Sequence, residues 1–379
     1  MSILKFLIAG NVDDGKSTLT GRLLLETNSI HEDLIQNNIS LNSKLVLSHF
    51  SDGLKQERLQ GITIDVSYKF FSIGLRKFVL IDAPGHFKYV KNLVSGASQC
   101  DLVLIIIDVL QGITDQTIVH FKIAEFLNVS NVIFVINKMD LINYESNIYL
   151  NLVEAIKQTF VLSEKCKFIP ISALIGDNIT TKSMKLDWFN GPTLISMIND
   201  SVTESQSNGE FRMQISSIID HTYYAKIISG SFNSSYILNS MSLNETHIGF
   251  KLDYLHNYTS ANRFVKFKFI EKYKFKKGEI LYFKKMMISS KKINTSTFWM
   301  SNINLDFNKS YIIKIGSSEC KVRPVFNSNE IKLNSFNKLT FVSDTNIIYD
   351  KCKENFYTSR GIIIDIENYD TIGVFVILK

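Results

Sequence analysis

The segment Gly10–Ser17, Gly-Asn-Val-Asp-Asp-Gly-Lys-Ser, has the residue types and spacing of a loop that binds phosphate. Its glycines let backbone N–H groups converge on phosphate oxygens, and a helix predicted to begin near Lys16 adds a favourable dipole. We expect Lys16 to reach the β- and γ-phosphates of a nucleotide and Ser17 to place its hydroxyl on Mg²⁺. The residues predicted to contact phosphate here are Asn11, Val12, Asp13, Asp14, Gly15, Lys16, Ser17 and Thr18.

A second group, Asp82-Ala-Pro-Gly-His86, follows the short apolar run Phe78–Ile81. The carboxyl ends of parallel strands gather ligands, so Asp82 is expected to hold Mg²⁺ through a water and the Gly85 N–H to sense the γ-phosphate. A single histidine is more often structural than catalytic. The position of His86 directly after this Asp-Ala-Pro-Gly favours a residue that positions the attacking water.

Thr63 lies in Gly61-Ile-Thr-Ile64, within the long segment between the first helix and the second strand. Its hydroxyl could bind Mg²⁺ and its backbone the γ-phosphate, in a loop ordered by the triphosphate and released on hydrolysis. The same four residues are also plausible as ordinary strand sequence.

The base is predicted from Asn137-Lys-Met-Asp140, which follows the apolar run Val132–Ile136. Asp140 can accept two hydrogen bonds from the N1–H and 2-amino groups of guanine, whereas adenine would leave this carboxylate unpaired. Lys138 is expected to line the base with its aliphatic stem. GTP is therefore the expected nucleotide, and the residues predicted to contact guanine are Asn137, Lys138, Asp140, Ser172, Ala173 and Leu174.

The elements that must position these residues alternate in type over roughly the first 200 positions. Short apolar runs predict buried strands, and the spacing of Val119, Ile123, Phe126 and Leu127 predicts a crossover helix over 117–127. This alternation is typical of a doubly wound, mainly parallel α/β sheet. The predicted strands are Ile3–Ala9, Phe78–Ile81, Leu102–Ile107, Val132–Ile136 and Phe168–Ile171.

A polar segment at 201–209 without periodicity predicts a linker, and the pattern after it changes to short alternating runs bounded by Asn, Ser and Gly. We predict a GTP-binding domain at 1–205 and two small antiparallel β-barrels at 206–288 and 289–379. Lysines and aromatics alternate at 264–277, which could form a nucleic-acid platform. A strand with lysines facing water explains this alternation without a ligand and is preferred.

Composition excludes several classes of protein. The apolar fraction of 45% and the charged fraction of 21% are typical of globular domains. The four cysteines have no CxxC spacing, so we expect reduced thiols in the cytoplasm. No apolar run approaches the roughly 20 residues that span a bilayer. The net charge of +6 would suit a nucleic-acid partner, but without a localised patch a compositional bias explains it better.

The chain resembles the translation-factor class of P-loop GTPases, and within it the GTPase large subunits of bacterial ATP sulfurylase, sulfate adenylyltransferase subunit 1. The stretches at 52–68 and 82–98 look like that family, as does Asp14 before Gly15, where bacterial elongation factors typically have histidine. The resemblance is specific over roughly residues 3–195 and returns in pieces at 299–300, 310–316 and 358–365. The family's Arg-Gly-Tyr-Ala-Gly turn is replaced here near Thr222–Ala225, without its arginine or glycines.

The resemblance implies two β-barrels after the GTPase domain and a smaller catalytic partner, in a heterodimer or higher heteromer. That partner would act as the nucleotidyltransferase, joining ATP to sulfate while GTP hydrolysis on this chain drives the reaction. Two other interpretations remain open from the sequence. One is an elongation-factor-like GTPase that binds aminoacyl-tRNA, although neither nucleic acid nor membrane is the expected partner; the other is a GTP-binding switch that has lost coupling.

Overall fold

A computed structural model shows the chain as two compact units, residues 1–204 and 205–379. The structure describes only part of each unit. The described residues are 3–30, 47, 66–83, 93–94, 97, 100–129, 131–163, 166–201, 210–219, 222–232, 236, 238–241, 246–250, 264–267, 274–284, 286–325, 331–351, 354–355 and 357–378.

The first unit is built on a six-stranded sheet that confirms the predicted mainly parallel α/β fold. Its strands run in the order β2-β3-β1-β4-β5-β6, and all neighbours are parallel except β2 and β3. The strands are β1 (Ile3–Ala9), β2 (Ser67–Ile73), β3 (Arg76–Asp82), β4 (Leu102–Asp108), β5 (Asn131–Asn137) and β6 (Cys166–Pro170). Every residue of β4 is buried, which explains its unbroken apolar sequence, since a central parallel strand has both faces covered.

The α-helices whose bounds lie within the described residues of this unit are α1 (Lys16–Glu26), α2 (Asp115–Phe126), α3 (Ser146–Thr159) and α4 (Leu194–Asn199). The helix predicted over 117–127 is confirmed as α2, and it begins two residues earlier than predicted. Thr114 caps it by accepting a hydrogen bond from the Thr117 N–H, while the Thr117 hydroxyl accepts one from the Thr114 N–H. This reciprocal cap satisfies N–H groups at the helix start, which would otherwise be unpaired.

The second unit contains only strands among its described elements, as predicted. Its first sheet is antiparallel, in the order β10-β9-β12-β7-β8-β11, and its second closes into a barrel in the order β13-β16-β15-β14-β17-β18. The strands are β7 (Arg212–Ile219), β8 (Thr222–Ser229), β9 (Leu238–Met241), β10 (Thr246–Phe250), β11 (Phe264–Phe267), β12 (Ile280–Tyr282), β13 (Ile288–Trp299), β14 (Tyr311–Ile315), β15 (Ser318–Pro324), β16 (Ser335–Tyr349), β17 (Arg360–Asp365) and β18 (Thr371–Ile377).

The lysine–aromatic alternation is a strand feature over its described part. In β11 the side chains of Val265 and Phe267 are buried and that of Lys266 is exposed. Phe267 stacks on Tyr223 of β8, with ring centroids 5.5 Å apart. This is the arrangement expected when apolar residues face a core and lysines face water.

Within the second unit, polar contacts join the first sheet to the barrel. Arg212 at the start of β7 pairs with Asp350, which follows β16, at 2.7 Å, and both side chains are buried. Thr358 donates a further bond to the same carboxylate at 2.6 Å. Gln214 of β7 donates to the Ser318 hydroxyl at 2.9 Å. The first sheet and the barrel are therefore joined by polar bonds, of which the buried Arg212–Asp350 pair is charge-assisted.

No helix in the described part of the chain is long and apolar enough to cross a bilayer. Cys166 and Cys320 are free thiols. The fourth cysteine, Cys352, lies outside the described residues.

Candidate nucleotide-binding site

The predicted phosphate loop lies between β1 and α1, at the carboxyl edge of the sheet. The backbone turns through left-handed conformations at Asp13, with φ of 66°, and at Gly15, with φ of 98°. A Cβ on Gly15 would lie 2.4 Å from the Asn137 amide nitrogen, so both the backbone angle and the close approach require glycine. Lys16 is the first residue of α1, as predicted, and the helix N-terminus supplies N–H groups and a dipole for an anion.

The Lys16 side chain is buried beneath this loop, and its ammonium donates a hydrogen bond to the Asn11 carbonyl at 2.7 Å. Burial lowers the pKa of Lys16 below its ordinary 10.5, while the negative charges of Asp82, Asp14 and Asp13 oppose that shift. The charged form of this buried ammonium is further stabilised by Coulombic attraction when a multiply charged anion binds next to it. The lysine is thus placed for phosphate.

Asp14 is a buried carboxyl within the loop itself, only 2% exposed. Its Oδ2 accepts the Asn11 N–H at 2.6 Å. Burial raises the pKa of Asp14 from 3.8 to about 6, against the lowering effects of the Asn11 and Asp108 backbone bonds and of the Lys16 charge. The loop therefore contains an acid that titrates close to neutrality.

Asp82 ends β3 and is fully buried, in register with Ile8 at the end of β1. Its charge acts on Lys16, so the structure brings Asp82, the first residue of the second motif, to the same edge as the phosphate loop. Three other predicted site residues, Thr63, Gly85 and His86, lie outside the described residues.

The Asn137 side chain joins three segments of the site. Its Nδ2 donates to the Asp14 carbonyl at 2.8 Å, and its Oδ1 accepts the Ala173 N–H at 2.9 Å. Both amide functions are used, and the residue is 2% exposed. A buried amide with both ends paired fixes the phosphate loop, the end of β5 and the loop after β6 in one arrangement.

Lys138 and Asp140 leave β5 on a tight turn. Lys138 is left-handed, with φ of 64°, and precedes a 3₁₀ turn at Met139–Ile142. Its ammonium lies 2.8 Å from the carboxylate of Asp108, at the end of β4. This pairing extends the lysine stem along the position where the base is predicted to stack.

Asp140 faces the loop after β6, where Ser172 donates its hydroxyl to the Asp140 carboxylate at 2.5 Å. Arg22 of α1 donates to the Ala173 carbonyl at 3.2 Å and also to the Leu174 carbonyl. Leu174 itself is 62% exposed. The predicted guanine-contacting residues are therefore brought together at one end of the sheet. Arg22 fixes the carbonyls of Ala173 and Leu174, while the Asp140 carboxylate retains a second oxygen for a ligand.

Besides Arg22, Asp108 and His120 lie at the site and were assigned no role from sequence. Asp108 could have been found, because it directly ends a buried parallel strand, as Asp82 does. His120 of α2 is 3% exposed, and its Nδ1 has no hydrogen-bond partner among the described residues. Burial, with a smaller contribution from the Lys16 charge, lowers the pKa of His120 from 6.5 to about 3.

Comparison with known proteins agrees with this geometry. Residues 1–219 match the family model described as the elongation factor Tu GTP binding domain. Sulfate adenylyltransferase subunit 1 of Colwellia psychrerythraea is 30% identical over 405 residues, covering 98% of this chain and 86% of that protein. The protein of the same name from Yersinia enterocolitica is 42% identical over 211 residues, covering 52% of this chain and 43% of that protein.

A solved structure has a similar fold. The Saccharomyces cerevisiae Ski7 GTPase-like domain bound to GTP superposes with a TM-score of 0.57 at 19% identity, covering 99% of this chain and 97% of that one. At this identity the likeness concerns architecture alone.

Proposed function

The chain belongs to the sulfate adenylyltransferase subunit 1 family, with a GTP-binding domain of the elongation factor Tu type, and we propose that it drives sulfate activation by hydrolysing GTP. The reaction would join ATP and sulfate into adenosine 5′-phosphosulfate and pyrophosphate on a smaller catalytic subunit. That subunit carries the nucleotidyltransferase chemistry, and this chain is the GTPase. Because ATP and GTP are the nucleotides used, the proposed place of the reaction is the cytoplasm.

The observation that carries this proposal is the hydrogen-bonded bridge at Asn137. It holds the phosphate loop at Asp14 and the loop at Ala173 in one arrangement, which supports a site that receives the phosphate and base ends of a nucleotide. Asp140 then distinguishes guanine by accepting from its N1–H and 2-amino groups, and Lys16 reaches the phosphates. The preorganised loops reduce the ordering cost of binding.

Mg²⁺ fits the residues at the phosphate end. A hard ion that keeps several waters needs few protein oxygens: Ser17 would supply one directly, and the buried Asp82 carboxylate would hold the ion through a water. Thr63 would add a further oxygen in the triphosphate state. The ion would neutralise charge that develops on the phosphate oxygens, while Ser17 and Asp82 orient it against the phosphate loop.

Hydrolysis must change what the partner experiences. We assign His86 to positioning the attacking water and the Gly85 N–H to the γ-phosphate. Loss of that phosphate would therefore release the segment that contains Gly85 and His86, together with the loop that contains Thr63. Coupling requires that the GTP and GDP states bias the partner site differently, because a partner with equal affinity for both states would receive no signal.

Binding is tested with a fluorescent GDP analogue and Mg²⁺. Lys16→Ala should abolish binding, since it removes the buried cation, whereas His86→Ala should bind with unchanged affinity and hydrolyse GTP more slowly. Equal hydrolysis rates in the wild-type protein and the His86 variant would remove the assignment of that histidine.

Coupling is tested with the purified small subunit. GTP hydrolysis should rise when this subunit, ATP and sulfate are all present, and adenosine 5′-phosphosulfate should form in step with it. GTP hydrolysis that is indifferent to the three additions would contradict the proposed function while leaving nucleotide binding intact.

A further inference from the structure

We propose that Asp14 is a positioning residue of the nucleotide site, whose side chain braces the phosphate loop from beneath and takes up a proton when the nucleotide phosphates bind. This inference rests on the guanine-nucleotide binding proposed above. It goes beyond that proposal, because a backbone contact to phosphate requires no particular side chain at position 14.

The geometry places the Asp14 carboxyl inside the loop and away from water. The side chain is 2% exposed, and its Oδ2 accepts the N–H of Asn11, three residues earlier, at 2.6 Å. The same oxygen lies 3.1 Å from the position that a Cβ on Gly10 would occupy. The Asp14 carboxyl therefore fills the inside of the turn and fixes the direction of the Asn11 N–H.

The Asp14 backbone completes the brace. Its carbonyl accepts the Asn137 amide at 2.8 Å, so the residue is held through its backbone by β5 and through its side chain by the loop. A residue held at both ends fixes the backbone of the loop around it, which is the preorganisation that an anion site requires.

The charged groups that act on Asp14 come from two neighbouring elements. Lys16 of α1 lowers the pKa of Asp14, as does a bond from the Asp108 backbone, whereas the Asp108 carboxylate of β4 raises it. Burial outweighs them all and raises the pKa of Asp14 to about 6. The carboxyl is consequently close to the balance between its two protonation states.

Nucleotide binding changes this balance in one direction. The phosphates bring negative charge to the loop, and they draw the Lys16 ammonium away from its bond to the Asn11 carbonyl. Both changes disfavour the ionised carboxyl, so Asp14 binds a proton from solvent as the nucleotide arrives. By linkage, nucleotide affinity must then increase as the pH falls toward about 6, the pKa of Asp14 in the free protein, and level off below it.

The test compares wild type with Asp14→Asn, because an asparagine amide has the shape of the protonated acid and carries no charge. Affinity for Mg²⁺·GDP is measured from about pH 5.5 to about pH 8. The wild-type affinity should fall on the order of tenfold more than that of the variant, which corresponds to a shift of about one pKa unit. Titration of GDP itself cancels in this comparison. Asp115→Asn removes an exposed carboxylate at the start of α2 and should keep the wild-type profile.

Calorimetry of wild type and Asp14→Asn provides a second measurement. Near pH 6.5, in two buffers of different ionisation enthalpy, wild type should take up a fraction of one equivalent of protons more than Asp14→Asn on binding, because the titration of GDP is common to both. Parallel pH profiles for wild type and Asp14→Asn, or equal proton uptake by the two proteins, would overturn the inference. Failure of wild type to bind GDP at any pH would instead contradict the proposed function.

Discussion

Lys138 and Asp108 form an ion pair between the ends of two neighbouring strands, with Nζ 2.8 Å from Oδ2. The Asp108 side chain is 5% exposed, and its other oxygen accepts the Leu110 N–H at 2.9 Å. The carboxylate therefore fixes both the loop after β4 and the lysine expected to line the base.

Asp108→Asn should weaken GDP binding while the fold persists. Asparagine can still accept the Leu110 N–H through its remaining carbonyl oxygen, but it gives up the charge-assisted bond to Lys138. We expect roughly tenfold weaker binding, which is about 1.4 kcal/mol. Fluorescence titration measures it, with Asp187→Asn, an exposed aspartate remote in sequence, as the matched control. Unchanged affinity in Asp108→Asn would mean that the ion pair with Asp108 is not needed to position Lys138.

Base recognition by Asp140 predicts a change in selectivity. GDP should bind more tightly than IDP to the wild-type protein, since inosine lacks the 2-amino group that the second carboxylate oxygen would accept. Asp140→Asn offers an N–H in place of one acceptor, so the preference for GDP over IDP should shrink to within a few-fold. Competition against the fluorescent GDP analogue gives both ratios. A variant that retains the full preference would place guanine recognition elsewhere.

The parts of the site that were predictable from sequence follow unbroken apolar runs. β1 has the predicted bounds, and the ends of β3, β4 and β5 carry the polar residues that meet at one edge. A central parallel strand buries both faces, so its apolar run is continuous, and its last residue stands out when it is polar. Strand β2, Ser67–Ile73, was not predicted, because only Phe71 of this edge strand is buried and no such run exists.

Contacts between distant segments were not predictable. The Lys138–Asp108 pair joins residues 30 apart, and the bond from Arg22 to the Ala173 carbonyl joins residues 151 apart. Neither follows from local spacing, because both depend on which strands become neighbours. The burial of Asp14 is of the same kind: an aspartate in a glycine-rich loop is expected to face water, and here the loop closes over it.

The burial of His120 in its neutral form leads us to expect that the protein loses stability in mild acid. The folded chain keeps this histidine neutral, with a pKa of about 3, whereas the unfolded chain protonates it near its ordinary 6.5. Below pH 6.5 the unfolded state therefore binds more protons, so stability decreases as the pH falls from about 6.5 toward about 3. At about pH 5 the histidine should account for about 2 kcal/mol of lost stability.

His120→Gln isolates this contribution, because glutamine is polar and neutral at every pH. Denaturant unfolding at about pH 7 and about pH 5 should show a smaller decrease in unfolding free energy for the variant than for the wild-type protein. Other titrating groups, including Asp14 with its opposite sign, are shared by the two proteins and cancel. An equal decrease in both would show that His120 becomes solvated before unfolding.

The buried Arg212–Asp350 pair predicts an asymmetry between single and double substitutions in the second unit. Asp350 accepts two bonds from the Arg212 Nη1, at 2.8 and 2.7 Å, and one from Thr358. Arg212→Met leaves a buried carboxylate without its cation and should cost about 3–5 kcal/mol of unfolding free energy. Arg212→Met combined with Asp350→Leu removes both charges and should recover most of that loss, since a buried ion pair is worth little against apolar side chains of similar volume.

The exposed pair Lys314–Glu319, 3.0 Å apart on adjacent barrel strands, is the matched control. Lys314→Met should change stability by less than about 1 kcal/mol in the same denaturant titration, because water screens that pair. If the double variant were as unstable as Arg212→Met alone, the Asp350 carboxylate would be needed for its bond to Thr358 rather than for the ion pair.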